Sequence, residues 1–135
     1  MRSEKYRYID SSVALRILWG QSSEAVEWFL RARADGWNIV SSQLLELEVI
    51  RAARRENTDL DDARRWLGEL PLLDLDRQLV REASDIEPHV KSLDALHLAA
   101  ALRVGVDDVV IISHDTALKR VASLLGFDVH DPVTA

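Results

Sequence analysis

The chain has 135 residues, of which 47% are hydrophobic and 30% charged, which suits one domain spanning 1–135 around one core and excludes a disordered chain. It has no cysteine, which excludes disulfides, thiolate metal sites and cysteine nucleophiles, and its net charge of −6 argues against coating nucleic acid by bulk charge. The charged stretch Met1–Tyr8 lacks the apolar run of a signal peptide, and no apolar stretch is long enough for a membrane span, so the expected compartment is the cytoplasm.

Gly and Pro are few and stand at joints between alternating elements. Tyr6–Ile9 reads as a short strand ending at Asp10. Ser12–Trp19 follows as a helix with Asp10 or Ser11 as its cap. Ser22 or Ser23 caps a second helix, whose Ala25, Phe29 and Leu30 fall near one face with Val26 flanking. Trp37–Ser41 is a second strand, and Ser42 opens a helix to about Arg55. Asp59 caps a helix reaching Leu67, and Leu72–Leu75 is a third strand. Asp76 opens a helix to about Glu87, where Pro88 intervenes, and Ser92 begins another through Arg103. Asp108–Ile112 is the strongest strand, β-branched from Val109 to Ile112. Asp115–Leu125 is the last helix, and Phe127–Val129 a short closing strand. Strands separated by helices predict an α/β fold, a mostly parallel sheet with helices on both faces; spacing leaves the strand order open.

Asp10, Glu48, Asp94 and Asp115 come from four separated segments, each at or near a predicted helix start. Asp10 and Asp115 follow apolar strands, and a parallel sheet gathers such strand ends at one edge. A cluster of carboxylates there favours a cation, and with oxygen donors a hard divalent one, which suits phosphodiester chemistry. Taken singly, Asp10, Asp94 and Asp115 are each better explained as a helix cap, the reading given to Asp59 and Asp76. Glu48 competes with Glu46; Leu44 and Ala52 at helical spacing favour Glu48 for the inward side. Ser12 and Ser113 stand two residues from Asp10 and Asp115, placed to orient a carboxylate. His97 is one turn beyond Asp94, but its flanks Leu96, Leu98 and Ala99 mark a core or edge histidine rather than a base. Arg51, Arg54, Arg55, Lys91 and Lys119, with Arg120, are expected to grip a nucleic-acid backbone; surface solvation explains any one of them as well.

Four stretches in this order resemble the PIN-domain nucleases, and within them the VapC toxins of toxin–antitoxin pairs. They are Tyr8-Ile-Asp10-Ser-Ser-Val-Ala-Leu, Ser41-Ser-Gln-Leu-Leu-Glu-Leu-Glu48-Val-Ile-Arg51, Leu93-Asp94-Ala-Leu-His-Leu-Ala-Ala-Ala and Val110-Ile-Ile-Ser113-His-Asp115-Thr-Ala-Leu. The resemblance implies a three-layer α/β/α fold with a five-stranded parallel sheet in the order 3-2-1-4-5. It implies a Mg²⁺- or Mn²⁺-dependent endoribonuclease leaving a 5′-phosphate and a 3′-hydroxyl. Asp10 and Asp94 would bind the ion directly, and Glu48 and Asp115 would complete the set. It further implies a homodimer and an antitoxin partner in an apolar groove of the early helices, for which Trp19 and Trp28 are candidates; core packing is the favoured reading of all four tryptophans.

Two other classes compete. A catalytically weak regulatory or RNA-binding module of the same fold would keep the shape and lose the metal. A phosphatase with Asp10 as nucleophile would want a second Asp where Ser12 stands, and a receiver-type phosphoacceptor would want a lysine after Phe127–Val129.

Overall fold

The computed structural model describes residues 5–134, so positions 1–4 of the charged N-terminal stretch lie outside the described residues. Five strands form one parallel sheet: β1 Tyr6–Ile9, β2 Asn38–Ser42, β3 Leu72–Leu73, β4 Val109–Ile112 and β5 Asp128–His130, in the order β3-β2-β1-β4-β5. The central register pairs Tyr8 with Val40 on one side and with Ile111 on the other. Seven helices connect the strands: α1 Ser11–Leu18, α2 Ser23–Ala34, α3 Gln43–Arg55, α4 Leu60–Leu67, α5 Arg77–Ser84, α6 Ser92–Val104 and α7 Thr116–Leu124. No helix among the described residues is long and apolar enough to cross a membrane.

Successive strand side chains point to opposite faces, and the sheet divides two apolar clusters accordingly. Tyr8, Val40, Val109 and Ile111 pack with Leu79 of α5, Leu98–Ala101 of α6 and Leu118 and Val121 of α7. Ile9, Ile39 and Ile112 pack on the other face with Val13 and Ile17 of α1, Phe29 of α2, Leu45 and Val49 of α3 and Leu67 of α4. Each fully buried leucine or isoleucine contributes roughly 1.5–3 kcal/mol. This sandwich fixes the carboxyl ends of β1 and β4, the neighbouring strands whose loops carry Asp10 and Asp115.

Several boundaries differ from the sequence expectation. In α2 the buried positions are Ala25, Phe29 and Ala32, while Leu30 is 63% exposed. Leu30 follows Phe29 by one residue, a turn of 100° that carries it off the buried stripe. β3 holds two residues rather than four, because the Leu75 amide bonds the Gln43 side chain at 3.1 Å instead of continuing the ladder. α5 ends at Ser84, before Glu87. β5 runs Asp128–His130, one residue later than expected.

Candidate active site

Asp10 stands at the end of β1 and caps α1, and both oxygens of its carboxylate accept hydrogen bonds. Ser12 Oγ donates to Oδ1 at 2.6 Å, Ser113 Oγ donates to Oδ2 at 2.6 Å, and the Val13 amide donates to Oδ1 at 3.2 Å. The two hydroxyls are held in turn: the His114 amide donates to Ser12 Oγ at 2.9 Å, and the Asp115 amide to Ser113 Oγ at 3.0 Å. The start of α1 and the loop after β4 are therefore stitched together around one buried carboxylate. Burial pushes the Asp10 carboxyl up, against the lowering effect of the Ser113, Ser12 and Val13 donors.

Glu48 lies in the second turn of α3, its side chain 18% exposed, while Glu46 is exposed, so Glu48 is the inward acid. Its Oε1 is 2.6 Å from Nε2 of His97. Nδ1 of that ring is 2.7 Å from Tyr8 Oη, which donates to Ser42 Oγ at 2.9 Å. His97 is indeed a core histidine, 2% exposed, but it is also the group that holds Glu48. Arg51, one turn after Glu48 on α3, is exposed and makes no ion pair with a described residue.

Asp94 is not a cap. Lys91 occupies the N-cap of α6 without a side-chain bond, and Asp94 sits in the first turn. Its carboxyl is pushed up to about 6, by burial first and then by the charge of Asp115, with Asp10 and Glu48 adding to the effect and His97 opposing it. The acids of four separate segments thus share one field. Asp115 caps α7, its Oδ1 accepting from the Leu118 amide at 2.9 Å. Asp10 and Asp115 serve as caps and as members of the cluster at once. Asp59 and Asp76 remain caps, of α4 and α5. Among the described residues, no three histidine or acidic side chains form a ready-made cage for an ion.

The basic residues are less uniform than the sequence suggested. Lys119 is committed to Asp131, at 2.7 Å, and His114 Nδ1 reaches the same Oδ2 at 2.9 Å. Burial acts to raise the Asp131 carboxyl, but hydrogen bonds from Lys119, His114 and the Val133 amide hold it well below the usual carboxylate range. Arg55 pairs with Glu56 at 3.1 Å, and Arg54 and Lys91 are exposed. Trp19 and Trp28 line different pockets. Trp19 lines one beside Ser12, whereas Trp28 lines a separate pocket with Trp37 and His130. Asp131, Tyr8 and Arg16, whose Nη1 donates to Ser12 O at 2.7 Å, were not singled out from sequence. Tyr8 is two residues before Asp10 on a strand, a spacing that puts both on one face; Asp131 carries no comparable signal.

The family model for the PIN domain matches residues 7–124. The chain belongs to the PIN-domain family. This PIN domain is 34% identical over 128 residues to Ribonuclease VapC46 of Mycobacterium tuberculosis, covering 93% of this chain and 96% of that protein. It is 27% identical over 130 residues to Ribonuclease VapC47 of the same organism, again covering 93% and 96%. Among solved structures, it is similar to VapBC2 from Rickettsia felis bound to a DNA fragment from their promoter, with TM-score 0.72 and 9% identity over 93% of this chain and 98% of that one. DNA-bound VapBC from Salmonella typhimurium gives TM-score 0.71 at 16% identity, over 96% and 99%. At such identities these likenesses show the fold of the PIN domain, strand order included.

Proposed function

We propose that this PIN domain is a divalent-metal-dependent endoribonuclease and the toxin of a toxin–antitoxin pair, working in the cytoplasm. The observation that carries this reading is the field at Asp94, which Asp115, Asp10 and Glu48 all raise. Such a set relieves its repulsion by binding a cation, and oxygen-only donors suit Mg²⁺ or Mn²⁺. The absence of a ready-made cage fits Mg²⁺, which is usually bound through one or two carboxylates and keeps several waters. An ion held by Asp10 and Asp94, with Glu48 and Asp115 completing the set, would supply positive charge against a phosphate and make water more acidic.

The chain's own residues prepare that place. Ser12 and the Val13 amide hold Oδ1 of Asp10, and Ser113 holds Oδ2 and leaves that oxygen a free lone pair. His97 fixes Glu48. Asp94 has no such donor and is the acid free to exchange a proton or an ion. Hydrolysis would put the water oxygen on phosphorus and the proton on the departing 3′ oxygen, leaving a 5′-phosphate and a 3′-hydroxyl.

The curated relatives named ribonuclease support the activity, and neighbours solved as VapBC assemblies support an antitoxin partner, as does a net charge of −6 that suits a basic one. A homodimer belongs to the same reading. The test is purified protein on a total RNA pool with Mg²⁺, Mn²⁺ or chelator, the cut ends being mapped. Metal-dependent 5′-phosphate ends are expected, and Asp94→Asn should give none; cleavage at the wild-type rate by Asp94→Asn would overturn the assignment. The internal hydrogen bonds already made by Asp10 and Glu48 favour one second reading, a catalytically weak RNA-binding module. Calorimetry without Mn²⁺ uptake would select it.

A further inference from the structure

A groove of about 700 Å³ adjoins the acid cluster, within the range of about 300–1,000 Å³ common for ligand sites. Ser12 belongs to both: its hydroxyl bonds Asp10, and its residue lines one end of the groove. Arg16, Trp19 and Gln21 line the groove along and beyond α1, and Arg55 lines it from the end of α3, the helix that carries Glu48. The guanidinium of Arg16 is anchored through its bond to Ser12 O at 2.7 Å. Trp19, the C-cap of α1, is half-buried and lines the groove. Glu56 also lines it, but its pairing with Arg55 joins two exposed side chains and is weak enough for a phosphate to displace.

We propose that this groove binds the single-stranded RNA segment next to the scissile bond. A base stacks on Trp19, phosphates lie on Arg16 and Arg55, and the Gln21 amide reads a base edge. The proposal rests on the ribonuclease reading for its substrate class. Charge complementarity and continuity with the acids favour RNA over a protein partner. Two guanidiniums, hydroxyls and an amide suit a sugar–phosphate chain with stacked bases. Leu15 is the only aliphatic residue lining the groove, too little for the apolar face of a partner helix.

The test uses the full chain in chelator with a fluorescein-labelled ten-nucleotide RNA of mixed sequence, so that binding is read without cleavage. Trp19→Ala is expected to weaken binding roughly 5- to 100-fold, with Trp19→Phe retaining most of it. Arg55→Ala, a surface change that threatens no core, is expected to lower the slope of log affinity against log salt by about 0.7. In Mn²⁺ the same variants should raise KM. Wild-type affinity and salt slope in both alanine variants would overturn the groove while leaving wild-type cleavage, and so the nuclease reading, intact. A wild-type chain that cuts no RNA while Trp19→Ala still loses the oligonucleotide would support the groove and sink the nuclease. Variants that keep RNA affinity but release a co-expressed antitoxin would assign the groove to that partner and overturn the proposal.

Discussion

At the scale of single residues, Asp94 and Asp131 respond to acid in opposite senses. The Asp94 carboxyl is raised to about 6 in the folded chain, so the folded form takes up a proton before the unfolded form does. Without metal, its charge costs stability at neutral pH, and the cost disappears as pH falls from above 6 toward the ordinary carboxylate value. Thermal unfolding of the metal-free chain should therefore show a contribution that raises Tm between pH 7 and 5, absent in Asp94→Asn. Asp94→Asn should be at least as stable as the wild type at pH 7 without metal. Mg²⁺ uptake, followed by calorimetry, should weaken as pH drops below about 6, because proton and ion compete for the same oxygens. Asp131 is held low, so its contribution is present above the ordinary carboxylate range and is lost as pH falls through the lower folded value. Tyr8 tests the other acid. Tyr8→Phe keeps the ring but removes the hydroxyl between His97 and Ser42, leaving buried groups short of a partner. A loss of about 1–3 kcal/mol in chemical denaturation is expected, together with weaker Mn²⁺ binding through a loosened Glu48.

Elements show where the sequence was legible. The β-branched run Val109–Ile112 and the short runs Tyr6–Ile9 and Asn38–Ser42 appear as strands because apolar residues on both faces have no other way to be buried. Capping chemistry located most helix starts, since Asp10, Ser22, Asp59, Asp76 and Asp115 each accept an amide of their own first turn. The edge was less legible: β3 is cut short by a bond between Leu75 and Gln43, a contact across 32 positions that no local pattern encodes. The same holds for the links around the site. Asp10, Glu48, Asp94 and Asp115 could be placed at strand and helix ends, but the bond of Glu48 to His97 and that of Lys119 to Asp131 depend on how helices and strands pack. The latter joins α7 to the segment after β5. Asp131→Ala should lower Tm near neutral pH and flatten the acid limb of the stability curve, because both Lys119 and His114 lose their partner.

Across the whole molecule, an ion held by acids from four segments would make binding and folding mutually supportive. An ion that binds the folded chain alone stabilises it by about 2.7 kcal/mol at one hundred times its Kd. Mn²⁺ should therefore raise Tm in the wild type, with little or no rise in Asp94→Asn; a wild-type Tm indifferent to Mn²⁺ at millimolar concentration would speak for the inert module.

The seam between β1 and β4 also has a temporal meaning. Ser113 and Asp10 are 103 positions apart, and their bond closes only after β4 has docked beside β1. Contacts of such separation form late, because the intervening chain must first be ordered. A polypeptide still emerging from the ribosome carries Asp10, Glu48 and then Asp94 without the strand that brings Asp115 to them. The order of synthesis therefore keeps the four acids apart until the segment that carries β4 and Asp115 has left the ribosome.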